Sequence, residues 1–187
     1  GASLFYYGDE IGMKTTPPTR KEDVKDPVGI TGWPKDKGRD GERTPMQWDA
    51  TANAGFCPEG VKPWLPVPPT YTTVNVKAEQ PDADSLLNWY ESLIRLKKTN
   101  AAFVHGEDTQ LDTDNTRVLS WMRKVSGSPT VVVSLNFTAD PQTVSLTIPG
   151  EGGKVKTLLK TPGAKDPTSL EAIELGPFGV YVGEVAP

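Results

Sequence analysis

Prolines interrupt the chain between Lys14 and Pro81 too often for any helix or strand to run through it. Pro17-Pro18, Pro27 and Pro34 break its first third, and Pro63-Trp64-Leu65-Pro66-Val67-Pro68-Pro69 closes off a later part. A prolyl nitrogen carries no hydrogen and its ring blocks the preceding turn, so such stretches cannot continue a helix. The second run is expected to lie extended over the surface. A connection this long without regular structure is uncommon and usually functional.

Within it lies the densest stretch of the sequence, Gly38-Arg39-Asp40-Gly41-Glu42-Arg43-Thr44-Pro45-Met46-Gln47-Trp48-Asp49. No period runs through these residues, so they read as a loop ordered by its own contacts. Loops that concentrate charged and aromatic residues are more often working surface than connector. Arg39 and Arg43 keep their charge at any physiological pH and present rigid forks of donors. On pattern alone they read first as paired with Asp40, Glu42 or Asp49 in a loop-ordering network, with the hydroxyls of a polar ligand as the alternative. Trp33, Trp48, Trp64 and Phe56 fit a sugar-stacking surface or a packed loop.

The flanks are more regular. Leu4-Phe5-Tyr6-Tyr7 is an unbroken apolar run of the kind found in a strand buried on both faces, and Gly8 ends it. Asp9-Glu10 would then stand at a strand's C-terminal end, either near an active site or bracing the turn that follows. Leu86, Leu87, Tyr90, Leu93 and Ile94 recur at i, i+3, i+4 and i+7, which predicts an amphipathic helix over about residues 85–98 packed by one face on a core. Asp82 or Asp84 is expected to cap it, and Lys97 and Lys98 close its last turn. From about Asn100 onward the chain turns β-rich. Strands are expected over residues 116–124, 130–137, 143–148, 155–159, 170–175 and 178–185, separated by turns such as Ser126-Gly127-Ser128-Pro129 and Gly176-Pro177. This spacing predicts an antiparallel sandwich.

Composition excludes several classes. A net charge of −4 argues against a phosphate backbone or an anionic membrane as partner, so neither nucleic acid nor membrane binding is expected. One cysteine, Cys57, rules out an internal disulfide, and one histidine, His105, leaves a multi-histidine metal site or a Ser-His-Asp triad poorly supplied. No metal ligands are assigned. Cys57 reads as an inert loop thiol, and Asn136-Phe137-Thr138 as a chance match to a glycosylation pattern. The chain opens directly on a strand-like run with no initiating methionine, and is read as a piece of a longer protein whose location it does not reveal.

Taken together, Tyr6-Tyr7-Gly8-Asp9-Glu10-Ile11-Gly12-Met13, then Gly38-Arg39-Asp40 with Arg43-Thr44-Pro45-Met46-Gln47-Trp48-Asp49, resemble glycoside hydrolase family 13, the α-amylase superfamily, in its α-glucosidase and oligo-1,6-glucosidase branch. Asn53-Ala54-Gly55-Phe56, Pro63-Trp64-Leu65-Pro66-Val67, Val74-Asn75-Val76 and Ser85-Leu86-Leu87-Asn88-Trp89-Tyr90 follow in a similar order and spacing. The resemblance is close over about residues 4–99 and holds only in outline beyond.

It implies an α/β plus all-β fold: the C-terminal end of a (β/α)8 barrel followed by an antiparallel β-sandwich. Residues 1–100 would be the barrel's last strand, long loop and last helix, and residues 101–187 the β-domain. It further implies retaining hydrolysis of terminal α-glucosidic bonds in α-linked gluco-oligosaccharides, through a carboxylate nucleophile and a carboxylic acid/base. No cofactor is implied. The catalytic Asp, Glu and second Asp of the family match nothing in this chain; Asp9, Glu10, Asp40 and Glu42 stand at other positions, and the chain alone is expected to be inactive. Its structural partner would be the N-terminal part of the barrel. Arg39 matches the arginine that reaches the non-reducing glucose, and Arg43 a second arginine that either contacts substrate on the far side of the bond or braces the loop. A trehalose synthase or other family 13 glucosyltransferase shares much of this signature. A non-catalytic relative or a carbohydrate-binding or stabilising β-domain is the reading from another class.

Overall fold

The chain is described over residues 3–185 by a computed structural model. It divides into two compact units, Gly1–Glu91 and Ser92–Pro187.

In the first unit most backbone hydrogen bonds are local, with Thr16 N to Gly41 O and Lys77 N to Trp48 O among those that reach further. Leu4-Phe5-Tyr6-Tyr7 forms no strand, because no described segment lies alongside to complete a ladder, and Leu4 is 95% exposed. Short 3-10 turns follow at Asp9–Ile11, Lys21–Asp23, Asp40–Glu42, Ala52–Gly55 and Pro69–Thr72. Asp9 and Glu10 brace the first of them, accepting from the Tyr6 and Gly8 backbone N–H groups. The expectation of no helix between Lys14 and Gly38 fails at α1, Pro27–Gly32. Proline is harmless at the first helical position, where its missing N–H would have no partner, and Asp26 caps the helix by accepting from Val28 N. Asn75 caps α2, Val76–Glu79, in the same manner.

Buried Gln47 stitches the loop together. Its amide donates to Val74 O at 2.6 Å and accepts from Thr70 Oγ1 at 3.0 Å, while its backbone O accepts from Val76 N. Ile11, Val24, Met46, Ala54 and Leu65 supply the buried apolar residues of this unit.

Helix α3, Leu86–Thr99, forms where the period predicts it. Its first turn is held by Ser85 Oγ, which accepts from Asn88 N, and by Glu79, which accepts from Leu87 N, rather than by Asp82 or Asp84. Asp82 instead accepts from Asp84 N in the preceding turn. The apolar stripe does not pack on a core as expected: no residue of α3 is buried, and Leu86, Leu93 and Ile94 are exposed. Phe5 meets Tyr90 edge to face at 5.5 Å.

The second unit opens with α4, Ala101–His105, capped by Asn100. A five-stranded antiparallel sheet follows in the order β1-β2-β3-β7-β5, with β1 Glu107–Leu111, β2 Val118–Lys124, β3 Val131–Asn136, β5 Val155–Lys160 and β7 Val180–Val185. A separate antiparallel pair joins β4, Gln142–Val144, to β6, Ile173–Leu175. Central β3 is apolar on both faces and covered on both. Val132 packs with Leu146, Ile148, Leu170, Ile173 and Tyr181, while Val131 and Val133 pack with Ala102 and Val182.

Several expected strands are shorter than the pattern suggested, and the run expected over residues 170–175 is reduced to β6. Residues 145–148 leave the ladder, although Leu146 and Ile148 remain buried. β7 begins at Val180 because Phe178 adopts a left-handed backbone at φ 51°. Asn136 is buried, with its amide donating to Asp140 O and Gly176 O, so its role is structural. No helix among the described residues is long and apolar enough to cross a membrane.

Candidate functional site: an arginine pair on a buried aspartate

Two aspartates on segments distant in sequence each hold the backbone of the other's segment. Asp40 accepts from Lys25 N at 2.6 Å and Asp26 N at 2.9 Å. Asp26 returns the contact, accepting from Arg39 N at 3.0 Å. Gly38 makes the approach possible, since a Cβ there would stand 2.7 Å from Asp26 Cβ and Cγ, and its φ of +63° is one that side chains rarely tolerate. The loop and the N-terminus of α1 are thereby fixed to one another.

That clasp presents the arginines. Asp26 Oδ2 lies 3.6 Å from Arg39 Nε and 3.6 Å from Arg43 Nη1. The aspartate side chain is only 2% exposed, whereas those of Arg39 and Arg43 are 67% and 44% exposed. One buried carboxylate therefore anchors two guanidiniums whose remaining donors face outward. The N–H groups of Arg39 and then Val28 hold the Asp26 carboxyl below the usual carboxylate range, against desolvation, with both guanidiniums adding to the effect. Neither Asp40, Glu42 nor Asp49 pairs with these arginines: Asp40 turns inward to backbone, and Asp49 accepts from Thr51 N and Oγ1. The partner that sequence reading missed is Asp26. Its signal was present, because an aspartate directly before proline is a helix-start pattern.

Arg43 also reaches an open cleft of about 470 Å³, whose walls include Tyr7, Met46, Trp48, Phe56 and Trp64. Arg39 is not among its lining residues. Tyr7 Oη donates to Thr44 O at 2.8 Å. Burial pushes the Tyr7 phenol up, with Tyr6 adding and Arg43 opposing. Phe56 is placed by an unusual turn in which Asn53, Ala54 and Gly55 are all left-handed. Asn53 Nδ2 holds that turn closed by donating to Pro58 O and Val61 O, both at 2.9 Å. Ala54 O in turn accepts from Trp48 N and Asp49 N. Three of the four proposed stacking residues thus share one cleft. Trp33 lies apart from it, with Lys37 Nζ 5.4 Å from its ring centroid.

Among the described residues no three His, Cys, Asp or Glu side chains come together in a way that would hold a metal ion. Cys57 makes only a 3.8 Å contact to Val61 O. The site thus places guanidinium donors near a cleft with aromatic walls.

Residues 1–106 match the family described as alpha amylase, catalytic domain, and the chain belongs to that family. It is 38% identical over 157 residues to the probable oligo-1,6-glucosidase 2 of Bacillus subtilis (strain 168), covering 75% of this chain and 28% of that protein. It is 31% identical over 202 residues to the glucan 1,6-alpha-glucosidase of Streptococcus pneumoniae serotype 4, covering 99% of this chain and 36% of the relative. The crystal structure of the trehalulose synthase MutB from Pseudomonas mesoacidophila MX-45 superposes with a TM-score of 0.78 at 29% identity, over 96% of this chain and 34% of that one. The chain thus spans about a third of the length of the curated relatives it matches.

Proposed function

We propose that this chain forms part of a retaining α-glucosidase and supplies one wall of its sugar pocket. Arg39 is assigned to the terminal, non-reducing glucose. Arg43, which stands in the aromatic cleft, is assigned to the sugar on the other side of the scissile bond. The observation that carries the reading is the buried Asp26 carboxylate holding two exposed guanidiniums, of which that of Arg43 lines the cleft with Trp48, Phe56 and Trp64. Fixed, outward-facing donors next to flat apolar faces match a pyranose, whose hydroxyls lie around its rim and whose C–H groups lie on its faces. The nucleophile, the acid/base and the second aspartate of the retaining mechanism are assigned to parts of the family's barrel that this chain does not match.

Within this proposal residues 1–100 belong to the end of the catalytic barrel and residues 101–187 to a β-sandwich domain. The uncovered stripe of α3 and the exposed Leu4-Phe5-Tyr6 run are where the remaining barrel elements pack.

The direct test assays the complete protein on maltose, isomaltose and sucrose. Release of glucose first as the α-anomer is expected, and inversion or inertness on all three would refute the proposal. The 187-residue chain alone is expected to release no p-nitrophenol from p-nitrophenyl α-glucoside. A second reading, that of a sucrose isomerase or related glucosyltransferase, draws on the 0.78 TM-score to trehalulose synthase MutB. Isomeric disaccharides rather than free glucose and fructose, formed from sucrose, would favour it.

A further inference from the structure

Asp26 has a position that neither helix capping nor general packing explains. A cap for α1 needs one oxygen, and Oδ1 supplies it by accepting from Val28 N. Oδ2 has a separate set of partners: the N–H of Arg39 at 3.0 Å and the guanidiniums of Arg39 and Arg43 at 3.6 Å. Those guanidiniums belong to residues whose side chains are otherwise free to move, because arginine has long flexible stems and both are substantially exposed. A further arrangement points the same way. The backbone N–H of Asp26 is itself held by Asp40, which neighbours Arg39 in sequence, so the carboxylate cannot drift away from the pair it holds.

We infer that Asp26 is the positioning residue of the sugar pocket, using one buried oxygen to set where both Arg39 and Arg43 present their donors. The inference rests on the assignment of the two arginines to substrate made above, and it adds that they work as a coupled pair. Substrate contact by Arg39 and by Arg43 is then not independent, because both forks share one anchor. Fixing the donors before substrate arrives avoids ordering two long side chains at the moment of binding.

A thermodynamic cycle in the complete protein separates this role from a merely structural one. Asp26→Asn keeps an oxygen for Val28 but turns the face toward the arginines from acceptor into donor. In the otherwise wild-type protein it is expected to lower kcat/KM on maltose by about 10- to 100-fold, by analogy with the loss of a group that orients a metal-ligating side chain. In a background carrying Arg39→Ala and Arg43→Ala the same change is expected to lower it by a factor at least several-fold smaller, because the guanidiniums are gone and only the hydrogen bond from the backbone N–H at position 39 is left to lose. Asp26→Ser, which is smaller and retains a capping hydroxyl, is carried through the same cycle so that poor folding of the asparagine variant leaves the test intact.

Equal losses in both backgrounds would overturn the inference in favour of a structural role. No loss in the wild-type background would overturn it outright. If the double arginine variant itself retains the kcat/KM of the wild-type protein, the pocket assignment falls and the positioning role falls with it. Loss in the arginine variant combined with an inert Asp26→Asn would instead leave the pocket assignment standing and remove only the role of Asp26.

Discussion

Single residues in the loop carry more constraint than their number suggests. Gly38 must be glycine on two counts, its positive φ and the 2.7 Å approach of Asp26 to where a Cβ would stand. Gly38→Ala is therefore expected to cost about 1–3 kcal/mol of stability, measured by denaturant unfolding. Gly183 is constrained differently: a Cβ there would collide with Tyr181 Oη, inside a packed sheet. The acidic residues add a pH dependence. Asp23 is held below the usual carboxylate range first by its hydrogen bond from Arg20, Asp26 by the N–H of Arg39, and Asp49 by the Thr51 hydroxyl. With folded pKa values depressed, the unfolded chain binds more protons as acid is added. The stabilisation is thus present above the unfolded carboxylate range and lost as pH falls through the folded values. Melting temperature is expected to be level above about pH 5 and to drop below about pH 4. A melting temperature that rises on acidification would contradict this.

The elements show what patterning conveys and what it omits. The i, i+3, i+4 period located α3, and continuous β-branched residues located β3, because regular burial leaves a regular trace. β1, Glu107-Asp108-Thr109-Gln110-Leu111, left none: it is an edge strand with four exposed positions, where charge discourages further pairing. α1 went unseen because its proline was read as a breaker when it occupies the one position that favours it. Capping also draws on distant residues. Arg123 of β2 donates to Ala102 O and Gly106 O at the end of α4 and pairs with Asp108 of β1. Arg123→Met, which keeps most of the stem and removes the donors, is expected to destabilise the protein by about 1.5–3 kcal/mol in a denaturant titration. A change under about 0.5 kcal/mol would show that water replaces the guanidinium at no loss.

At the scale of the whole molecule, the sequence was most legible where chemistry is concentrated. Arg39 and Arg43 stood out as paired donors, and Trp48, Phe56 and Trp64 as candidate stacking faces. What could not be read was their arrangement. The anchor at Asp26 lies thirteen residues before Arg39, and only the folded loop reveals that Asp40 holds the Asp26 backbone while Asp26 holds that of Arg39. Which aromatic residues share the cleft was equally hidden, since Trp33 looks no different in sequence from Trp48. The division after residue 100 remains a proposal about where the barrel's share of the chain ends, and membership of the α-amylase catalytic-domain family rests on residues 1–106.

The central claim is that Arg39 binds the terminal glucose. Its most direct test is the kcat/KM of Arg39→Ala on maltose in the complete protein, measured beside the wild type with the melting temperature of each. Loss of a charged donor to a sugar hydroxyl, worth about 1.5–3 kcal/mol, predicts a fall of about 10- to 150-fold with the melting temperature unchanged. An unaltered kcat/KM, or a fall matched by loss of the folded protein, would contradict the account.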